Sequence, residues 1–305
     1  MKIINVPGIN AVGLNKTVGC EKAPEKIMDF LDEIYTNETG IPIDKKILDI
    51  EKLDLQNQAL SKENRLIYDS AFKSFKENNK TFFIGGDHSI SYALTRAFFD
   101  FCQSGFCFNQ NQDETIDFDE EKIKEPCLIV FDAHPDVMPD DFSGKKDKDK
   151  NSKECFSEMK TPTHEEWLRD LIDDGFPVEN ILLIGVRNSD LNENVFLQKN
   201  KIRTMSINSF LEDISESCDI MMEFASGKEL YVSIDIDVID PAFAPATGYT
   251  EVGGFTSREF LYLVQRMRKM KNLKALDMVE INPHYDEKNG FLTTKLGAKI
   301  LAEFF

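Results

Sequence analysis

The chain has 305 residues, a formal net charge of -18 and a hydrophobic fraction of 41%. This length suits one three-layer α/β domain, and the apolar content is enough for a large core. The acidic excess argues against a nucleic-acid-binding surface, because phosphate contacts need Lys and Arg, and it agrees better with a cationic or neutral partner.

Two further features concern the compartment. The first ten residues, MKIINVPGIN, are too poor in apolar residues for a signal peptide, and no run of about 18 apolar residues predicts a membrane span. The six cysteines are scattered without a C-x-x-C pair, so free thiols are favoured over disulfides or a zinc site. We therefore expect a soluble, cytoplasmic protein with no membrane partner.

Short β-rich runs alternate with amphipathic helical segments, which is typical of a parallel sheet covered on both faces. The eight predicted strands lie at 3–6, 47–50, 81–84, 128–131, 181–186, 202–206, 230–236 and 275–281. The predicted helices lie at 22–36, 59–78, 89–103, 164–174, 189–199, 208–226, 256–270 and 293–304. Polar stretches at 104–126 and 139–163 are predicted surface loops. No linker divides the chain, so we expect one domain over 1–305.

The third predicted strand runs into Gly85, Gly86, Asp87 and His88, and a helical pattern follows. The two glycines permit a sharp turn that leaves His88 at the carboxyl end of the strand. This motif lacks the spacing of a dinucleotide fingerprint or a P-loop. Taken alone, His88 in such a turn is more often a structural histidine than a metal ligand.

The fourth predicted strand runs into the motif D-x-H-x-D, formed by Asp132, His134 and Asp136. In an extended backbone these alternate positions point to one side. Three polar side chains clustered at the end of an apolar strand are costly unless an ion pairs with them. The motif therefore indicates a metal site.

The seventh predicted strand ends in the carboxylates Asp235 and Asp237, which share one face of an extended strand. Two adjacent carboxylates repel each other, and a divalent metal would relieve that repulsion. Taken alone, a D-x-D is more often a solvent-facing strand end than a metal site. The carboxyl ends of parallel strands share one edge of a sheet, however, so this pair is expected to meet the two preceding motifs.

Together the three strand ends supply six candidate ligands: His88, Asp132, His134, Asp136, Asp235 and Asp237. Four carboxylates and two imidazoles are too many for one tetrahedral zinc ion. Shared between two metals, they give the oxygen-rich coordination that suits Mn²⁺. Two such ions about 3.5–4 Å apart can activate a shared water towards an electrophilic carbon.

The blocks GGDHS, DAHPD and SIDIDVIDPAFAPATG, in this order, resemble the three signature blocks of the ureohydrolase family, which includes arginase, agmatinase and formimidoylglutamase. The resemblance implies a three-layer α/β/α fold with a central eight-stranded parallel sheet and two Mn²⁺ per chain. It implies hydrolysis of a guanidino C–N bond to urea and an amine, and a trimeric or hexameric homo-oligomer. It places His88, Asp132, Asp136 and Asp235 on one metal and Asp132, His134, Asp235 and Asp237 on the other.

The resemblance also implies three catalytic residues. Asp136 would orient the attacking water and pass on its proton. Glu280, in the block VEINP, would pair with the guanidinium, since a planar guanidinium and a carboxylate match as a fork. His164 would shuttle protons or donate one to the leaving amine, although Glu165 follows it where arginases and agmatinases have Gly. From the residues alone, Glu280 is equally a strand-end charge.

Residues expected to select the substrate depart from the family pattern. Met138 stands where arginases have the Asn that binds the α-carboxylate, which argues against an arginase-type site. Tyr249 and Thr250 replace the usual Thr and Pro. An agmatine-like amine is therefore favoured, and arginine, formimidoylglutamate and guanidino acids are the alternatives. A noncatalytic metal-binding member of the family is an alternative of another class.

Overall fold

The computed structural model describes residues 1–10, 15–55, 58–77, 80–104, 123–139 and 159–305. The two predicted loops at 104–126 and 139–163 lie largely outside these residues, as do Cys107 and Cys155. The other four cysteines are buried free thiols, as predicted. None of the described helices has the length and apolar character needed to cross a bilayer.

Eight strands form one parallel sheet in the order β2-β1-β3-β8-β7-β4-β5-β6, which confirms the predicted sheet. The strands are β1 Lys2–Val6, β2 Asp49–Lys52, β3 Thr81–Gly85, β4 Pro126–Phe131, β5 Ile181–Ile184, β6 Arg203–Met205, β7 Glu229–Asp235 and β8 Leu273–Val279. The second strand begins two residues later than predicted. The reason is a short 3-10 turn, Lys45–Ile47, which Asp44 caps by accepting a hydrogen bond from the backbone N–H of Lys46.

The helices occupy both faces of this sheet. In the described part of the chain they are α1 Ala23–Leu31, α2 Leu60–Lys76, α3 Ile90–Gln103, α4 Trp167–Asp173, α5 Leu191–Asn200, α6 Ile207–Glu212, α7 Ile214–Phe224, α8 Ser257–Met267, α9 Pro283–Asp286 and α10 Leu292–Glu303. The prediction of one helix over 208–226 was wrong. Asp213 is extended there and caps α7 by accepting from the backbone N–H groups of Ser215 and Glu216.

The central strands are buried on both sides, which explains their continuous apolar runs. On β4, Ile129 and Phe131 pack into one core layer, whereas Leu128 and Val130 pack into the other. The fold is therefore three-layered, with a helical layer on each face of the sheet.

Strands β3, β8, β7 and β4 are neighbours in the middle of the sheet. Because all of them are parallel, their carboxyl ends meet at one edge. Gly86 lies at this edge, where a Cβ would come within 2.0 Å of the Gly8 carbonyl oxygen, so only glycine fits. The Gly86 carbonyl accepts a 2.8 Å hydrogen bond from the backbone N–H of Glu280, which ties the end of β3 to the end of β8.

Candidate metal centre

The first half of the candidate centre surrounds the imidazole of His88. Its Nδ1 atom lies 3.1 Å from Oδ2 of Asp132, 3.0 Å from Oδ2 of Asp136 and 3.3 Å from Oδ2 of Asp235. All four side chains are buried. Residues from three different strand ends therefore converge on one point, as the sequence predicted.

The second half surrounds His134. Its Nδ1 atom lies 2.9 Å from Oδ2 of Asp237 and 3.6 Å from Oδ1 of Asp132. Asp132 therefore turns one oxygen towards His88 and the other towards His134. This arrangement suits a carboxylate that bridges two metal ions.

The backbone of the D-x-H-x-D motif is not extended, although the spacing of the motif predicts an extended segment. Strand β4 ends at Phe131, and Asp136 has a left-handed backbone with φ of 52°. Oδ1 of Asp132 accepts a 2.6 Å hydrogen bond from the backbone N–H of His134. The three side chains converge because the chain turns, so the prediction of an extended segment was wrong.

The D-x-D pair likewise spans the end of a strand. Strand β7 ends at Asp235, and Asp237 lies in a 3-10 turn, Ile236–Val238. Oδ1 of Asp235 accepts a 2.8 Å hydrogen bond from the backbone N–H of Asp237, and Oδ1 of Asp237 accepts one of 3.0 Å from Ala133. These bonds orient one oxygen of each carboxylate and leave the other facing the histidines.

Two atoms of the cluster indicate that a cation fits. Nδ1 of His88 and Oδ2 of Asp132 are fully buried, yet neither has a hydrogen-bond partner despite their short separation. A buried unpaired polar atom costs about 1–3 kcal/mol, and a metal ion between these atoms would satisfy both. The nitrogen and oxygen donors are those that a divalent transition metal prefers.

The pKa shifts within the cluster also indicate that it can bind a cation. Burial, and then the neighbouring Asp132 carboxylate, raise the pKa of Asp136 to about 7. Burial and the Asp237 carboxylate raise the pKa of Asp235 well above its ordinary value. Burial alone would lower the pKa of His88, but the surrounding carboxylates raise it well above its usual range. So many acids in so small a volume need bound protons or bound cations.

Trp167 contacts the candidate metal centre, although no motif of the sequence pointed to it. Its indole N–H donates a 2.8 Å hydrogen bond to Oδ2 of Asp136, and its ring centroid lies 4.8 Å from that of His88. The available signal was its position as the only tryptophan of the chain, three residues after His164.

Glu280 follows β8 and lies beside the cluster. Its backbone is left-handed, with φ of 64°, and Oε1 accepts a 2.9 Å hydrogen bond from the backbone N–H of His88. Oε2 has a weak 3.9 Å contact from the thiol of Cys20. Burial, and then the Asp87 carboxylate, raise the pKa of Glu280 well above its ordinary value. Among the described residues no Lys or Arg forms an ion pair with it, so this buried acid lacks a cationic partner.

His164 lies on the same side of the centre, next to Tyr249. Their ring centroids are 5.4 Å apart, and the Tyr249 ring lies 6.2 Å from that of His134. Both ring nitrogens of His164 are buried without a hydrogen-bond partner, and burial lowers its pKa to about 4. Nε2 lies 3.8 Å from Oε1 of Glu165. By contrast, His284 is exposed on α9.

The family model described as the arginase family matches residues 3–305. The chain is 29% identical to proclavaminate amidinohydrolase of Streptomyces clavuligerus over 75% of its length, and 27% identical to agmatinase of Bacillus subtilis over 72%. These matches span 63% and 61% of the two relatives, so about three-fifths of each is covered. The solved structure of formimidoylglutamase from Bacillus subtilis superposes with a TM-score of 0.77 at 19% identity, covering 99% of this chain and 85% of that one, which shows the same fold. The chain belongs to the arginase family.

Proposed function

We propose that this protein is a Mn²⁺-dependent hydrolase that cleaves a guanidino C–N bond of a small substrate and releases urea and an amine. The observation that carries the proposal is the position of Glu280. This buried carboxylate has no cationic partner among the described residues, and it contacts the backbone of His88 in the candidate metal centre. A guanidinium placed against Glu280 would therefore lie next to that centre.

The ligands divide between two ions as the family resemblance implies. His88, Asp132, Asp136 and Asp235 would hold one Mn²⁺, and Asp132, His134, Asp235 and Asp237 would hold the other. When bound, such a pair supplies an activated water and polarises the carbon that is attacked.

Glu280 would bind and orient the substrate. A planar carboxylate and a guanidinium pair through two parallel hydrogen bonds, which fixes the plane of the substrate as well as its charge. The hydrogen bond from the His88 N–H holds Oε1 in place. The reacting carbon is thereby held in one orientation, which lowers the entropic part of the barrier.

Asp136 and His164 would move protons. The hydrogen bond from the Trp167 indole N–H orients the Asp136 carboxylate. In this orientation Asp136 can accept a proton from the attacking water. His164 is neutral at pH 7, because burial lowers its pKa to about 4, and both its ring nitrogens are unpaired. It can therefore take up a proton on one nitrogen and release one from the other, as a shuttle to the leaving amine requires.

The charges around His134 and His164 support an agmatine-like substrate with a second cationic end. Glu251 places Oε1 3.5 Å from Nε2 of His134, and Glu165 lies beside His164. Met138, which replaces the Asn of arginases, is buried and offers no amide side chain. Two carboxylates close to these histidines would attract an ammonium group.

A second candidate substrate is favoured by Lys16. Its ammonium lies 4.3 Å from the centroid of the Tyr249 ring, next to the site histidines. This cation would suit a substrate with a carboxylate tail, such as a guanidino acid or formimidoylglutamate. Arginine carries both charges and is a third possibility.

The substrate is tested by measuring urea, formamide and amine release with Mn²⁺ and a panel of agmatine, arginine, guanidinobutyrate and formimidoylglutamate. We expect the highest kcat/KM with agmatine. Preference for guanidinobutyrate or formimidoylglutamate would indicate that Lys16, rather than Glu165 and Glu251, selects the substrate. No product from any member, with two Mn²⁺ bound, would overturn the enzymatic proposal in favour of a noncatalytic metal-binding protein.

The metal assignment is tested separately with Asp235→Ala, because Asp235 is proposed to contact both ions. We expect bound Mn²⁺ to fall well below two per chain by elemental analysis after dialysis. The matched control is Asp219→Ala, which removes an exposed carboxylate paired with Arg266 on the outside of the fold. Unchanged stoichiometry in Asp235→Ala would refute the ligand assignment.

We also propose a trimeric or hexameric homo-oligomer, as the family resemblance implies. Light scattering on the purified protein measures the mass directly. A mass of one chain, 34.9 kDa, would contradict this part of the proposal.

A further inference from the structure

A second buried carboxylate, Asp277 on β8, lies behind the candidate metal centre. Three hydroxyl groups donate hydrogen bonds to it: Ser233 at 2.7 Å to Oδ1, and Tyr231 at 2.9 Å and Ser91 at 3.0 Å to Oδ2. All four side chains are inaccessible to solvent. Among the described residues no Lys or Arg pairs with Asp277, and the proposed chemistry does not use it.

The sheet register explains why these groups meet. Ser233 on β7 is directly opposite Asp277 on β8. Tyr231, Ser233 and Asp235 are alternate residues of β7, so their side chains lie on one face of the sheet. Ser91 reaches the same carboxylate from α3. The polar face of β7 thus leads from the buried interior to the candidate metal ligand Asp235.

The direction of the hydrogen bonds to Asp277 determines which ring nitrogen of His88 carries a hydrogen. Asp277 as a carboxylate can only accept, and each hydroxyl has a single proton to donate. Burial raises the pKa of Asp277, whereas His88 and the three hydroxyl donors favour its charged form. Because the Ser233 proton points at Asp277, the Ser233 oxygen has only lone pairs left for its other neighbour. That neighbour is Nε2 of His88, 2.9 Å away, which must therefore carry a hydrogen and donate it.

We infer that Asp277, acting through Ser233, holds the proton of His88 on Nε2 and so leaves Nδ1 free to bind a metal ion. The inference rests on the metal centre proposed above. It is supported by the orientation of the ring, since Nδ1 is the nitrogen that faces Asp132, Asp136 and Asp235 at 3.0–3.3 Å. Asp277 and Ser233 are positioning residues, because they act through His88 and touch neither substrate nor metal.

The chain offers a matched pair of variants for the test. Ser233→Ala and Ser91→Ala each delete one buried hydroxyl that donates to Asp277, and the volume lost is the same. Only Ser233→Ala also deletes the acceptor for Nε2 of His88. A role limited to satisfying the buried Asp277 carboxylate would make the two variants alike, whereas control of the His88 tautomer would separate them.

The measurement is the dissociation constant for Mn²⁺, obtained by equilibrium dialysis at fixed pH, with the thermal midpoint of the metal-free proteins recorded alongside. Loss of a hydrogen bond that orients a ligating histidine lowers metal affinity about 10–100-fold, and we expect this for Ser233→Ala. Ser91→Ala is expected to change the affinity less than about threefold, while both variants lower the thermal midpoint by similar amounts.

The possible outcomes distinguish failure of the proposed metal centre from failure of the proposed role of Asp277 and Ser233. If wild-type protein binds no Mn²⁺, the metal centre itself is refuted. If wild-type protein binds two Mn²⁺ and the two variants weaken binding equally, or neither does, the metal centre stands and the role of Asp277 and Ser233 is refuted. If Ser233→Ala does not fold, Asp277→Asn supplies a second test, because the amide can donate to Ser233 and so allow the Ser233 proton to turn towards Nε2 of His88. The Mn²⁺ affinity should then fall about 10-fold, and an unchanged affinity would refute the role of Asp277.

Discussion

The indole N–H of Trp167 donates a 2.8 Å hydrogen bond to the same Asp136 oxygen that lies 3.0 Å from Nδ1 of His88. Trp167 is the first residue of α4, so this bond anchors the start of that helix to the candidate metal centre. His164, three residues earlier, is thereby held on the same side of the site. The backbone N–H of Leu168 donates to the Asp136 carbonyl at 3.2 Å and strengthens the same connection.

Replacing Trp167 with Phe should weaken metal binding. Trp167→Phe keeps an aromatic ring but removes the donor that orients Asp136, so we expect Mn²⁺ affinity to fall about tenfold in equilibrium dialysis. The free energy of unfolding should fall by about 2 kcal/mol, since the lost hydrogen bond is to a charged group. The control is Phe98→Leu, a buried aromatic in the same core layer, which should lower stability without changing the affinity. Unchanged affinity in Trp167→Phe would show that Asp136 is oriented by other contacts.

Metal binding should weaken as the pH falls. Asp136 has a pKa of about 7, raised by burial and by Asp132, so protons compete with the metal ion below that pH. We expect the apparent Mn²⁺ affinity to drop between pH 8 and pH 6. Because Trp167 is the only tryptophan and contacts the ligands, its fluorescence should change saturably as Mn²⁺ is added and should report the midpoint. An affinity independent of pH over this range would contradict proton competition at the site.

Glu280→Gln should impair catalysis without removing the metal. The amide oxygen can still accept from the His88 N–H, but the charge that pairs with a guanidinium is lost. We expect kcat/KM for the preferred substrate to fall about 100-fold, the effect of losing a hydrogen bond between charged groups, with two Mn²⁺ still bound. Glu287→Gln, at an exposed position of the same segment, is the control. A loss of bound metal in Glu280→Gln would mean that Glu280 supports the ligands rather than the substrate.

Lys274, which lies away from the site, should make the free energy of unfolding depend on pH. Burial lowers its pKa to about 8, below the ordinary value of 10.5 that applies in the unfolded chain. Between these two pH values the unfolded state binds more protons, so this group makes the folded state more stable as the pH rises. The difference in free energy of unfolding between wild type and Lys274→Met should therefore shift in favour of wild type from pH 8 to pH 10.5, as measured in urea. A difference that stays constant over this range would show that the Lys274 pKa is not lowered on folding.

Local sequence patterns were sufficient to predict the parallel sheet and the six candidate metal ligands. Buried parallel strands need continuous apolar runs, and these are visible in any short window of the chain. A histidine or aspartate directly after such a run lies at the carboxyl edge wherever the strand falls in the sheet, so His88, Asp132 and Asp235 could be predicted to meet. The family was also identifiable at this level, because its signature blocks are short and contiguous.

Tertiary structure was needed wherever a contact depends on which strands are neighbours or on how the backbone turns. Asp277 faces Ser233 only because β8 pairs with β7 in one register, and Trp167 reaches Asp136 across 31 positions of sequence. The left-handed backbone at Asp136 carries no local signal, since the surrounding hydrogen bonds stabilise a conformation that an isolated Asp rarely adopts. The types of residue that can bind a metal were thus readable from the chain, whereas their orientation follows from packing and hydrogen bonds that exist only in the folded protein.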